Sequence, residues 1–198
     1  MHDGEWLRSE RRAAAAWAAA LLDSGCVILD GETTGTGPRD EFVQLAAVDQ
    51  SGEVLLNSLI QPTQRIDPGA ARVHGLTAAH LVDAPGFPQI YPRLAALLSG
   101  RSVVIYNAAF DRRILDQACA RYGLPRLRAD WHCAMLRYAQ FHGEWNYQYE
   151  SFRWHKLAVA CRSEGIAVSG AHAALTDCFL TLRLLETMAA WLDAAPDP

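Results

Sequence analysis

The sequence predicts an α/β domain, a mixed sheet with helices on its faces, and three observations carry that prediction. Apolar runs joined by a short polar turn come first, as in an antiparallel hairpin. Apolar runs followed at once by patterns of helical period come later, as in parallel strand–helix units. With 198 residues and 51% hydrophobic content, the chain is long enough for one sizeable core.

Residues 1–24 read as a helical extension packed on the domain, and residues 25–198 as a single domain. Within the extension, Arg11 and Arg12 precede an apolar run from Ala13 to Leu22, a loose imitation of a signal peptide. Glu5 and Glu10 spoil the basic region such a peptide needs, so an alanine-rich helix is the better reading. No apolar run reaches the ~18 residues of a membrane span. A first strand covers about Cys26 to Leu29. "FVQLAAVDQSGEVLLNSLI" gives two strands turning at Gln50-Ser51-Gly52, and Gln61 to Gly75 reads as loop with one helical turn. "PQIYPRLAALLSG" is a helix stopped at Gly100. "RSVVIYN" is a buried fourth strand, and "FDRRILDQACARYG" an amphipathic helix. "DWHCAMLRYAQF", "HKLAVACRSEG" and a long segment from Ala174 to Leu192 read as helices.

Net charge is −4, with a pI near 5.9. A chain that grips a long duplex by its phosphates is strongly basic, so any contact with nucleic acid is expected to be short and local. Five cysteines without a Cys-x-x-Cys pair suit reduced thiols in a cytoplasmic protein.

The chemistry is concentrated in acids that follow apolar strands. In "VILDGETTG", Asp30 and Glu32 are two residues apart on an extended chain, so both point to one face. Adjacent carboxylates repel and raise each other's pKa unless a cation lies between them. In "VVIYNAAFD", Asp111 opens the helix after the fourth strand. In "HAALTD", His172 precedes Asp177 by five residues, about 500° of helical turn, which puts the histidine on the lead-in loop and Asp177 in the first turns. Ligands of open α/β sheets sit at the strands' carboxyl ends, where these acids gather. Oxygen-only donors select Mg²⁺, with Mn²⁺ as a substitute. Two ions would neutralise the cluster and clamp a scissile phosphate, with one imidazole to take a proton.

"DGETTG", "YNAAFD" and "HAALTD" together resemble the three motifs of the DEDDh exonucleases, a family that includes the epsilon proofreading subunit of bacterial DNA polymerase III. The resemblance runs from about Cys26 to Leu192 and includes "VHGLT" at Val73–Thr77. It implies a ribonuclease H-like fold with a central mixed five-stranded sheet. It further implies metal binding by Asp30, Glu32, Asp111 and Asp177, and His172 as general base. Thr33, Thr34, Gly35, His74, Asn107 and Phe110 are similar in place to the residues around the terminal nucleotide. The implied activity is Mg²⁺-dependent 3′–5′ hydrolysis of single-stranded or frayed DNA ends to nucleoside 5′-monophosphates. An exoribonuclease acting on RNA, or an interaction module of a replication or repair assembly, are the alternatives. A polymerase or repair partner and a homodimer remain open, and no membrane is involved. Two departures stand out: Gly31, where a larger residue is common and a looser strand is expected, and Tyr106, where histidine is frequent.

"YAQFHGEWNYQYESFRW" holds seven aromatics in 17 residues. Trp145, Tyr147 and Tyr149 alternate with polar residues at strand period. The segment reads either as a stacking wall for unpaired bases or as an apolar arm over the core or an interface, and the arm is preferred. Arg112 and Arg113 fit phosphate contact and a solvated helix face equally. His132, Cys133, His142, His155 and Cys161 match no zinc spacing and read as core and surface residues.

Overall fold

A computed structural model of the chain describes residues 3–170 and 172–194. Five strands form the central sheet: β1 Cys26–Thr33, β2 Phe42–Asp49, β3 Val54–Leu59, β4 Ser102–Ile105 and β5 Asp130–Cys133. Their order is β3-β2-β1-β4-β5, with β2 antiparallel to both β1 and β3, and with β4 and β5 continuing parallel to β1. The β2–β3 turn is held by Asp49, whose Oδ1 accepts from the backbone N–H of Ser51 and Glu53.

Helices cover both faces. On one, α1 (Asp3–Ser24), α5 (Ala134–His142), α6 (Leu157–Ser163) and α7 (Ala174–Ala194) bury Cys26, Ile28, Ala46, Val48 and Val104. On the other, α3 (Phe87–Leu98) and α4 (Ala108–Arg121) bury Val27, Leu29, Phe42, Leu45, Val103 and Ile105. Alternate residues of β1 thus feed two cores, which explains a continuous apolar run where a one-sided strand would alternate. Ala14, Ala15 and Ala18 are fully buried, and their small side chains let α1 lie close against α7.

Several local expectations change. Asp130–Cys133, expected as the start of a helix, is strand β5, because four residues carry no readable period and the open edge of β4 supplies the partner. The expected single helical turn before Gly75 is the seven-residue helix α2 (Pro68–His74). Asp67 caps it by accepting from Gly69 N–H, and Gly75 ends it in the left-handed region at φ 75°. The alternating aromatics do not form a strand. Only β6 (Trp145–Asn146) pairs with β7 (Ser151–Phe152), and Asn146 Oδ1 folds the intervening turn by accepting from Gln148 and Tyr149 N–H.

Gly31 is not a loose point in β1. A side-chain carbon there would collide with the ring of Phe42, which lies fully buried beside Leu45. The aromatic ring from β2 fills the space that a larger residue would occupy. Gly31→Ala is therefore expected to cost about 1–3 kcal/mol of stability through overpacking. Adding Phe42→Leu should recover part of that loss in chemical denaturation; equal stability of wild type and Gly31→Ala would show that the ring yields freely.

Candidate active site

β1 and β4 pair in parallel, so their carboxyl ends lie side by side. β1 stays extended through Thr33, and Asp30 and Glu32 project from the face that α7 covers. The register slips just after Glu32, a bulge of the kind that re-aims side chains beside active sites. Asp177 lies in the first turn of α7. Gln44, opposite Glu32 on β2, fixes that turn by accepting from Ala174 N–H at 3.3 Å. The next residue, Cys178, donates its thiol to Ala46 O on the same strand.

One carboxylate oxygen from each of Asp30, Glu32 and Asp177 lies within 4.8 Å of the other two. Asp111 comes from the first turn of α4 and is 5% exposed. These four acids and His172 line one pocket of about 520 Å³. Burial is the first cause that raises each carboxyl. Asp30 is pushed well above the usual range, with Asp111, Asp177 and Glu32 adding repulsion. Glu32 rises to about 7, helped by the charge of Asp177. Asp111 also rises to about 7, with backbone N–H groups pulling it back and Glu32 pushing it up. Asp177 is raised by burial and drawn back by His172. Crowded anions of this kind fit a hard divalent cation: the donors are all oxygens, from three segments, and each is costly to ionise alone.

His172 stands on the loop before α7 with φ 70°, a left-handed conformation that non-glycine residues seldom hold. Its N–H donates to Asp177 Oδ1 at 3.4 Å, and its ring is exposed at the pocket. Strained backbone of this sort collects at functional sites.

The expected nucleotide-binding residues divide. Thr33, Gly35 and His74 line an adjoining lobe of about 1050 Å³, which shares Gly31, Glu32, Val73 and Phe110 with the acidic pocket. His74 Nδ1 accepts from Leu76 N–H, which assigns the ring proton to Nε2, and Nε2 donates to Thr33 O at 3.2 Å. Asn107 and Phe110 line the acidic pocket, and Asn107 makes no capping hydrogen bond to α4. Thr34 lies elsewhere. It is fully buried, its hydroxyl donates to Asp40 and accepts from Glu41 N–H, and its backbone pairs with Glu41 O and Asp67 N–H. It holds the turn that the others line.

Other side chains complete the walls. Arg113 donates to Thr36 O and Gly37 O at 3.1 Å each and lies over the Phe110 ring, bracing the loop. Arg112 packs over Trp131. Tyr106 sends its hydroxyl to His155 O at 2.7 Å, which ties the end of β4 to the segment after the aromatic arm. That segment brings Trp154, 58% exposed, and Lys156 to the acidic pocket. The aromatic arm divides: Trp145 and Phe152 pack on Trp6 of α1, while Trp154 lines the acidic pocket. Sequence spacing had no means of separating them, though an aromatic followed closely by His155 and the chain's only lysine was a signal.

In sequence and fold the chain is similar to known exonucleases. A family model described as Exonuclease (RNase_T) matches residues 27–185. An uncharacterised exonuclease of Escherichia phage 186 is 36% identical over 179 residues, covering 87% of this chain and 92% of its own. DNA polymerase III subunit epsilon of Treponema pallidum is 29% identical over 168 residues, 81% of this chain and 74% of its own. Exonuclease X, solved in complex with 5′ overhanging duplex DNA, superposes with a TM-score of 0.64 at 25% identity. The superposition covers 83% of this chain and 92% of the other. No described helix is long and apolar enough to cross a membrane. With this fold, this order of motifs and these relatives, the chain belongs to the DEDDh type of the exonuclease family and is a 3′–5′ exonuclease.

Proposed function

We propose that the chain removes single nucleotides from the 3′ ends of single-stranded or frayed DNA, in a reaction dependent on divalent metal. The observation that carries this reading is the meeting of Asp30, Glu32 and Asp177 within 4.8 Å, with Asp111 beside them and His172 at the rim. The four carboxylates would hold two Mg²⁺ ions, which when bound stabilise charge on the attacking and leaving oxygens of a phosphodiester. His172, at the rim of the pocket that the acids line, takes a proton from the attacking water. His74, Phe110 and the backbone of Thr33 and Gly35 form the wall for the terminal nucleotide, with Asn107 in the adjoining acidic pocket. Arg65 and Lys156 are the cations that line the two lobes, which suits an end held locally rather than a duplex gripped along its length. DNA is favoured over RNA by the Thr-Thr-Gly sequence after Glu32 and by relatives named for DNA polymerase III.

The direct test is hydrolysis of end-labelled single-stranded DNA and matched RNA with and without Mg²⁺. Asp30→Ala and Asp177→Asn are expected to lower kcat at least about a thousandfold with the fold retained. His172→Ala should remove the acid limb of the pH–rate profile. Normal turnover by either carboxylate variant would sink the reading, and faster cleavage of RNA would redirect it.

Trp154 is expected to stack an unpaired base. Trp154→Ala should raise KM for single-stranded DNA about 5- to 150-fold, equivalent to about 1–3 kcal/mol, with a smaller change in kcat. An unchanged KM would assign Trp154 to the wall alone.

The raised acids set the pH dependence of stability. An unfolded chain has carboxyl pKa values near 4, whereas Glu32 and Asp111 lie at about 7 in the folded one. Between those values the folded state binds more protons, so stability without metal is highest at low pH and falls as pH rises through about 7. The Tm of chelator-treated protein should be lower at about pH 8 than at about pH 5.5. Millimolar Mg²⁺ should restore it chiefly at the higher pH. A Tm indifferent to both variables would argue against the cluster.

A further inference from the structure

A second cluster of donors lies where the aromatic arm meets the end of α5, and it mixes nitrogen with oxygen. One ring nitrogen each from His142 and His155, and one carboxylate oxygen of Glu144, lie within 4.8 Å of one another. Three separate devices place them. His142 ends α5, which stops at left-handed Gly143. Glu144 opens the arm, where its carbonyl accepts from Arg153 N–H. His155 is fixed by the Tyr106 hydroxyl on its carbonyl.

We propose that His142, Glu144 and His155 form a zinc site that pins the base of the aromatic arm to the end of α5. His155 Nε2 is buried and has no hydrogen-bond partner, a state rare enough to need a cause. It stands 3.6 Å from Glu144 Oε2, close to the roughly 3.3–3.5 Å edge of a tetrahedron with zinc bonds of about 2.0–2.1 Å. Arg153 holds the other oxygen, Oε1, at 2.7 Å, which orients the carboxylate and leaves Oε2 to the ion.

The tautomer of His142 is set from behind. The Tyr138 hydroxyl donates to Glu164 Oε1 at 2.9 Å. Its oxygen therefore accepts from His142 Nδ1, 3.3 Å away, and leaves Nε2 as the lone pair of that ring. Two imidazoles and one carboxylate suit zinc, whereas the oxygen-only cluster of the active site suits Mg²⁺. The exposed His142 leaves an entry path and a fourth position for water. Because Trp154 directly precedes His155, a bound ion would also steady the side chain that faces the nuclease pocket.

The test uses the full chain, stripped with chelator and then held in excess Mg²⁺ so that the carboxylate cluster is occupied. Zn²⁺ is titrated in competition with a chromophoric chelator, and Co²⁺ is added separately to read tetrahedral ligand-field absorption. Wild type and Asp30→Ala are expected to bind one equivalent of Zn²⁺, and both His142→Ala and Glu144→Gln to bind it at least about tenfold more weakly. The exposed His142 and Glu144 can change without disturbing the core, and circular dichroism verifies the fold. Equal Zn²⁺ affinity in wild type and His142→Ala, or no Zn²⁺ bound in the presence of Mg²⁺, overturns the proposal. Hydrolysis is not a readout, so this result stands apart from that of the nuclease assays.

Discussion

Electrostatic repulsion among four carboxylates is the constraint around which this molecule is arranged. Asp30, Glu32, Asp111 and Asp177 come from a strand, a helix start and a second helix start; burial drives each toward its neutral form, and neighbouring acids push Asp30, Glu32 and Asp111 further the same way. Nothing local would bring them together. Two apolar clusters do so, one on each face of the sheet, because the same strand β1 contributes Ile28 to one and Leu29 to the other. The hydrophobic term is non-directional and large, and it supplies the free energy that the acidic end of the sheet spends.

The turn that follows β1 shows how little of that end is left to chance. Glu41 accepts from Thr63 and Gln64 N–H through Oε1 and from the Tyr122 hydroxyl through Oε2, with Arg121 at 3.6 Å. A buried acid so fully hydrogen-bonded is structural. It joins the start of β2, the loop before α2 and the end of α4, and Thr34 and Asp40 extend the network beneath the cleft. Gly31 and Phe42 meet the same need by shape: absence of a side chain on one strand is matched by a ring from the next.

Tyr106 and the aromatic arm make a second linked pair. The tyrosine hydroxyl reaches His155 O, and so the residue at the end of β4 positions a segment distant in sequence, with Trp154 and Lys156 facing the acids. Trp145 and Phe152 anchor the other side of the arm on Trp6, in edge-on and stacked contacts. The arm's rings thus divide between anchoring and the cleft, and α1 takes part in the site indirectly through the arm it supports.

What the sequence determined by itself was the local chemistry: that Asp30 and Glu32 share a face, that Asp111 opens a helix after a buried strand, and that His172 precedes the helix carrying Asp177. These follow from periods of two and 3.6 residues, which side-chain order alone reveals. Strands β1 to β4 and the long helices were legible for the same reason. Strand β5 was not, because four residues borrow their conformation from the edge of β4. The division of the aromatics, the burial of Thr34 and the juxtaposition of His142, Glu144 and His155 were equally invisible. Each depends on which distant segment lies alongside, and that is fixed only when the two cores close and all the parts are held at one distance from one another.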